Sequence, residues 1–194
     1  MSRKTISLPP EYFDSLYEAN PDPWRFASSD YEREKYEQTL AALTRQHYHS
    51  AFELGCSIGV LTTQLAERCD DLLAVDAAEA ALAQARQRCA HQGWVSFRRV
   101  RAPGEWPQGQ FDLILLSEVV YYLEAADVTR LAQRVEQSLL SAGEALLVHW
   151  TGETDYPLSG DDAAEQFIAA ADGFARVARS ERLEKFRIDL LVRR

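Results

Sequence analysis

Phe52-Glu-Leu-Gly55-Cys-Ser57-Ile-Gly59-Val-Leu-Thr62 is an apolar strand that runs through a glycine-bearing turn into a helix. Gly55 and Gly59 let the backbone turn sharply and approach a ligand, and the free N–H groups at the start of the helix face it. A nucleotide-type ligand is the natural guest of such a turn. A little over 20 residues beyond Glu53 comes Leu72-Leu-Ala-Val-Asp76-Ala-Ala, a second apolar run ending in an acid. A carboxylate at that strand tip can accept hydrogen bonds from both hydroxyls of a ribose. The competing reading of Asp76 is an N-cap for the helix that follows.

Outward from this pair, short apolar runs alternate with helical stretches. Strands are expected at Ser50–Leu54, Leu72–Val75, Val95–Val100, Phe111–Leu116 and Ala145–Trp150, with helices at Val60–Cys69, Ala77–His91 and Ala125–Leu140. Such alternation predicts a parallel sheet covered on both faces. A helix at Asp161–Ala171 precedes two strands, Ala175–Ser180 and Phe186–Val192, whose short connection permits only a hairpin. The fold class expected is α/β, a doubly wound, mostly parallel seven-stranded sheet with one antiparallel strand. Ahead of it, residues 1–46 read as a helical cap in which Tyr12, Phe13, Leu16 and Tyr17 share one apolar face. The division expected is thus a single domain over 1–194, its core at 47–194.

The 194 residues carry 21 Lys plus Arg against 30 Asp plus Glu, a formal charge of −9. That length suits one domain and excludes a second catalytic one. The acidic balance, with basic residues scattered among acids, argues against nucleic acid as a partner. No run approaches the roughly 18 apolar residues of a membrane span, and the opening residues lack a signal-peptide core, so a cytoplasmic protein without membrane partners is expected. Cys56, Cys69 and Cys89 have no C-x-x-C spacing and read as reduced core thiols. His47 and His49 alternate before the first strand without a third ligand, so no metal site is expected.

Glu53 separates two kinds of cofactor. It lies two residues before Gly55, where a dinucleotide fold brings a pyrophosphate and would not want negative charge, whereas a sulfonium and an ammonium welcome it. The glycine pattern is also incomplete for G-x-G-x-x-G, since its middle position is Ser57. The motifs Glu53-x-Gly55-x-Ser57-x-Gly59, Asp76, Phe111-Asp-Leu-Ile-Leu-Leu-Ser-Glu118-Val-Val-Tyr-Tyr-Leu123 and Leu139-Leu-Ser-Ala-Gly143-Glu-Ala-Leu-Leu-Val together resemble the class I S-adenosylmethionine-dependent methyltransferases. Within them, Asp22-Pro-Trp24, Tyr31-Glu-x-x-Lys35-Tyr36, Leu54-Gly-Cys56, Glu118-Val-Val-Tyr-Tyr122-Leu and Gly160-Asp-x-Ala163 are similar to the nodulation-type (NodS-like) N-methyltransferases.

The resemblance implies S-adenosyl-L-methionine as cofactor and a small-molecule acceptor, an amine on a sugar or similar polar metabolite, with an O-methyltransferase as the nearest variant. It places Glu53, Gly55 and the Cys56 backbone at the methionine side and Asp76 at the ribose, with Ser57 and Gly59 also among the cofactor-binding residues. Ala77, Ala102 and Arg101 fall at the adenine, and Ser117 with Glu118 near the transferred methyl. Ser57 replaces a common glycine, which is tolerable if its backbone angles are ordinary. Methyl transfer is an in-line displacement from an activated leaving group, so the protein mainly positions the acceptor and excludes water. Glu118, a tyrosine of the pair Tyr121 and Tyr122, or His149 is the expected proton acceptor. Trp24, Tyr31, Lys35, Tyr121 and Trp150 are candidates for holding the acceptor, and Arg25 or Lys35 for meeting the cofactor carboxylate.

Three rivals use the same residues. Gly55-Cys-Ser57-Ile-Gly59 is a literal G-x-S-x-G, and Asp112 and His149 follow in the order of an α/β-hydrolase triad. Against this, Asp112 begins its strand instead of ending it. A nicotinamide-dependent reductase conflicts with Glu53. A catalytically silent binding module on the same fold would bind cofactor poorly.

Overall fold

The computed structural model describes residues 3–194. Seven strands form one sheet in the order β3-β2-β1-β4-β5-β7-β6: β1 Tyr48–Leu54, β2 Cys69–Asp76, β3 Val95–Arg99, β4 Phe111–Ser117, β5 Leu139–Trp150, β6 Ala175–Arg182 and β7 Phe186–Arg193. Strands β1 to β5 are mutually parallel, and β7 runs antiparallel to both β5 and β6. The expected fold class is therefore the observed one. The order reverses between β1 and β4, so the crevice beyond their carboxyl ends is where a doubly wound sheet holds its ligand.

Helices α3 Val60–Leu65, α4 Glu79–Arg88, α5 Ala125–Ser138 and α6 Gly160–Ala171 cover the sheet, and α1 Pro10–Ala19 and α2 Asp30–Ala42 precede it. Every residue of β4 is buried, as its apolar sequence requires of a strand covered on both faces. Helix α5 turns Val128, Leu131, Ala132 and Val135 into the core, and α6 starts on a capping box in which the Ser159 hydroxyl and the Asp162 carboxylate each satisfy a backbone N–H. No described helix is long and apolar enough to cross a membrane. The three cysteines are free and buried.

The boundaries differ from the sequence expectation in places with a physical cause. β5 starts at Leu139, six residues before the expected Ala145, because Leu139 pairs with Phe111 across a register shift. Ala142, at φ 57°, absorbs that shift. Helix α5 accordingly stops at Ser138 rather than Leu140. The helix after the first turn tightens into a 3-10 turn at Ala66–Arg68 and ends before Cys69, which already belongs to β2. The helix expected from Ala77 starts at Glu79 because Ala77 and Ala78 still belong to the turn held by Asp76.

The segment ahead of the core is tied over the carboxyl ends of the strands. Leu8 N–H donates to the Tyr122 carbonyl (2.8 Å), Lys4 N–H to that of Asp155 (2.9 Å), and the Gln84 amide to that of Pro21 (2.9 Å). Arg99 pairs with Asp14 of α1 at 2.7 Å. At the other end of this packing, Gly59 has a φ of 78°, and a Cβ there would lie 2.9 Å from both Cα and Cβ of Ala85 in α4. Left-handed backbone and overpacking both act on a substituted residue, so Gly59→Ala is expected to cost about 2–4 kcal/mol, read as a lower urea midpoint.

Candidate functional site

A cavity of about 760 Å³ opens where the strand order reverses. Gly55, Ser57, Asp76, Ala77, Arg101, Ala102, Ser117 and Glu118 form its floor, and Trp24, Tyr31, Lys35, Tyr121, Tyr122 and Trp150 are in its walls. Most of the residues singled out in the sequence thus converge on one space. Glu53, Cys56, Gly59, His149 and Arg25 do not line it.

The floor is built by hydrogen bonds among strand tips. Gly55 and Cys56 both donate to the Val75 carbonyl, at 2.8 and 3.0 Å, which pins the turn after β1 to the end of β2. Gly55 has a φ of 83°, and a Cβ on it would strike the Val119 side chain. Ser57 also sits in the left-handed region, at φ 51°, so the condition under which it would replace a glycine without strain is not met. Its N–H donates to Asp76 Oδ2 (2.9 Å), and Ala78 N–H to Asp76 Oδ1 (2.9 Å). Each Asp76 oxygen therefore has one backbone donor and keeps acceptor capacity toward the cavity. The N-cap reading of Asp76 fails, since Ala78 holds that position with no side-chain cap and Asp76 instead fixes the turn ahead of α4; it lines the cavity.

Glu118 follows β4 in a left-handed conformation (φ 58°) and is surrounded by donors. Lys35 Nζ lies 2.7 Å from Oε1, while the Tyr121 hydroxyl (2.6 Å) and Trp150 N–H (2.9 Å) donate to Oε2. Burial pushes the carboxyl up, but the Lys35 ammonium and the Tyr121 hydroxyl outweigh it and hold Glu118 below the usual carboxylate range. Burial likewise pushes Lys35 down, yet Glu118 and Glu32, whose Oε2 is 2.8 Å away, raise it above the ordinary lysine range. This buried pair stays ionised on both sides. Glu118 is thus a poor proton acceptor, and Lys35 is engaged within the protein.

His149 is fully buried behind the cavity. Its Nε2 accepts from Val120 N–H at 3.3 Å, and burial lowers the imidazole to about 4. It supports the 3-10 turn Val120–Tyr122 and is placed away from any acceptor. Tyr121 and Tyr122 are pushed far up, first by burial and then by neighbouring negative charge and tyrosines, so both stay protonated phenols. The three expected proton acceptors are therefore unsuited to that role in this arrangement.

The hydrolase rival fails on distance along the sheet. Asp112 accepts from His49 N–H (2.9 Å) and Ser50 N–H (3.0 Å) at the amino end of β1, opposite the turn that carries Ser57. The Ser57 hydroxyl is bonded to the Tyr17 hydroxyl instead. Tyr17 was legible only as an apolar helix face; Phe13, Phe26 and Tyr156 also join the wall. Tyr156 carried no sequence signal, lying alone in an irregular segment.

Glu53 points to the other side of the turn, toward Lys35, Tyr36 and Ile58, where a small void adjoins the glycine loop. It is 1% exposed, and its Oε2 has no hydrogen-bond partner among the described residues. Burial raises this carboxyl to about 7, with the neighbouring Thr62 hydroxyl pulling down and Asp76 pushing up. A carboxyl whose folded value exceeds its unfolded one removes stability as pH climbs from about 4.5 to 7. Glu53→Gln is expected to raise stability at pH 8 by up to roughly 3 kcal/mol, with no gain at pH 4.5, as read by urea unfolding at the two pH values. Glu118→Ala strands the Lys35 ammonium beside Glu32 alone and is expected to cost about 3–5 kcal/mol in the same measurement.

Residues 16–153 match the family model of Nodulation protein S (NodS). Nodulation protein S of Bradyrhizobium diazoefficiens is 35% identical over 130 residues, 65% of this chain and 61% of that protein. The chain spans about three fifths of the length of the curated nodulation proteins it matches first. A provisionally named methyltransferase from Pseudomonas syringae is 39% identical, with a TM-score of 0.74 over 84% of this chain and 99% of that one. The N-methyltransferase NodS from Bradyrhizobium japonicum WM9, solved with S-adenosyl-L-homocysteine, shares the fold at 22% identity, with a TM-score of 0.79 over 92% of this chain and 96% of that one. With 138 consecutive residues covered by the family model, the chain belongs to the NodS family.

Proposed function

We propose that this protein is an S-adenosylmethionine-dependent methyltransferase that methylates an amine of a small molecule. The observation that carries the reading is Asp76 and the Gly55 turn meeting at the switch in strand order, on the floor of a cavity roofed by the N-terminal segment, in a chain of the NodS family. At about 760 Å³ the cavity lies in the upper part of the range of small-molecule sites, roughly 300–1,000 Å³, with room for a nucleoside cofactor and a second molecule.

The residues present suit that cofactor. Asp76 keeps acceptor capacity for two ribose hydroxyls, Ala77, Arg101 and Ala102 border the adenine side, and Gly55, Ser117 and Glu118 border the methionine end. The unpartnered Glu53 oxygen behind the turn adds negative potential where an ammonium and a sulfonium would lie. When bound, S-adenosylmethionine supplies a methyl group whose bond to sulfur breaks, the pair leaving on sulfur, as the acceptor's lone pair forms the new bond to carbon.

The protein's own part is positioning and exclusion of water. Nitrogen is favoured over oxygen by the state of the wall. An alcohol must surrender its proton to a base, and Glu118 is held below the usual carboxylate range, His149 is turned away, and the tyrosines are protonated. A neutral amine already carries the attacking lone pair and releases its proton after transfer.

Calorimetric titration with S-adenosyl-L-homocysteine is expected to give micromolar binding, weakened at least tenfold by Asp76→Ala. A second series on pH tests Glu53. Its negative charge is lost as pH falls through about 7, so the wild-type affinity is expected to drop between pH 8 and 6 while Glu53→Gln is flat. Equal affinity of wild type and Asp76→Ala, or no binding at all, would overturn the reading.

A further inference from the structure

We infer that Ser57 and Tyr17 are a positioning pair: the serine takes a left-handed backbone so that its hydroxyl can fix α1 over the Asp76 carboxylate, and the pair acts on cofactor affinity; this rests on the methyltransferase reading above. Ser57 stands at φ 51°, an angle that glycine would take freely. A glycine there would also keep the bond from the backbone N–H to Asp76 Oδ2, at 2.9 Å. What serine adds is its hydroxyl, and that hydroxyl is bonded to the Tyr17 hydroxyl of α1, 40 residues away along the chain.

The rest of α1 points to the same carboxylate. In the sheet order β3-β2-β1, Asp76 ends the middle strand. Asp14, one helical turn before Tyr17, pairs with Arg99 at the end of β3 (2.7 Å), while Tyr17 pairs with Ser57 in the turn after β1. The helix is therefore tied on both sides of the β2 tip. Arg99 also donates to the carbonyl of Ala77, directly after Asp76, at 2.7 Å. Tyr17 is 5% exposed, lines the cavity, and packs in one cluster with Ile58, Ala78 and Ala81. Burial and, after it, the Asp76 carboxylate push its phenol up, so it stays protonated beside that carboxylate. A buried phenol needs a partner for its hydroxyl, and Ser57 is that partner. Held in this way before the cofactor arrives, the roof needs no ordering on binding, a cost that would otherwise weaken affinity.

The test titrates S-adenosyl-L-homocysteine calorimetrically into the full chain and into Ser57→Gly, Tyr17→Phe and the double variant, with urea unfolding of each. Each single variant is expected to bind about fivefold more weakly, the factor that one net hydrogen bond carries. The double variant is expected to bind no more weakly than the singles, since all three lose the same bond. The urea midpoint of Ser57→Gly is expected to stay close to that of the wild type, because relief of the left-handed angle offsets the lost bond. A merely structural bond would instead lower that midpoint and leave the affinity unmoved. Unmoved affinity in both single variants, or losses that multiply in the double variant, overturns the inference and leaves the methyltransferase reading standing. A wild type that does not bind sinks both. If Ser57→Gly does not fold, Tyr17→Phe decides alone, and wild-type affinity in it overturns the inference.

Discussion

The buried ion pair between Lys35 of α2 and Glu118 at the end of β4 is the constraint on which the site depends. The two atoms are 2.7 Å apart, and the side chains are 3% and 13% exposed. Charges so placed are tolerable only when each is paired and its remaining hydrogen-bonding capacity is met. Glu32, Tyr121 and the Trp150 backbone do so. The consequence reaches further than local stability, because Lys35 belongs to the N-terminal segment and Glu118 to the sheet. Neither charge can be left alone, so the segment is held over the strand ends, and the crevice at the switch point becomes a roofed cavity.

That pairing also decides what kind of surface the cavity offers. With Glu32, Glu118 and Lys35 engaged by one another, aromatic rings make up much of the remaining wall. The left-handed residues Ser57 and Glu118 sit on its floor, a conformation that costs a non-glycine residue about 1–2 kcal/mol. Asp76 accepting from Ser57 N–H, and Glu118 fixed by three donors, offset this cost. Strain of this kind concentrates where strand tips must be aimed at a ligand.

The sheet and the floor of the cavity were legible because they depend on local signals: apolar β4, the glycine turn, and an acid ending β2. Two of the misplaced residues, Glu53 and His149, share one cause. Successive side chains of a strand point to opposite faces, so Leu54 and Trp150 enter the cavity while their neighbours Glu53 and His149 turn away from it. Proximity to a strand end was read without that alternation. The start of β5 was illegible for another reason. Leu139 and Leu140 continue the apolar pattern of α5, and only pairing with Phe111 assigns Leu139 to the sheet. Tyr17 and Tyr156 reach the wall through packing between distant segments, which no single stretch of sequence encodes.

The absence of a usable base among the wall residues fits the chemistry better than it first suggests. An amine that is neutral when it meets the sulfonium already carries its attacking lone pair, so the transfer needs no strong base beside it. Glu118, held below the ordinary carboxylate range by Lys35, and His149, lowered to about 4 by burial, are both weak bases. The aromatic wall adds to it: it can attract positive charge through its ring faces but cannot take a proton. Such a surface stabilises charge that builds on nitrogen during transfer without competing for the lone pair beforehand. The same ion pair that roofs the cavity therefore also withdraws Glu118 from service as a base.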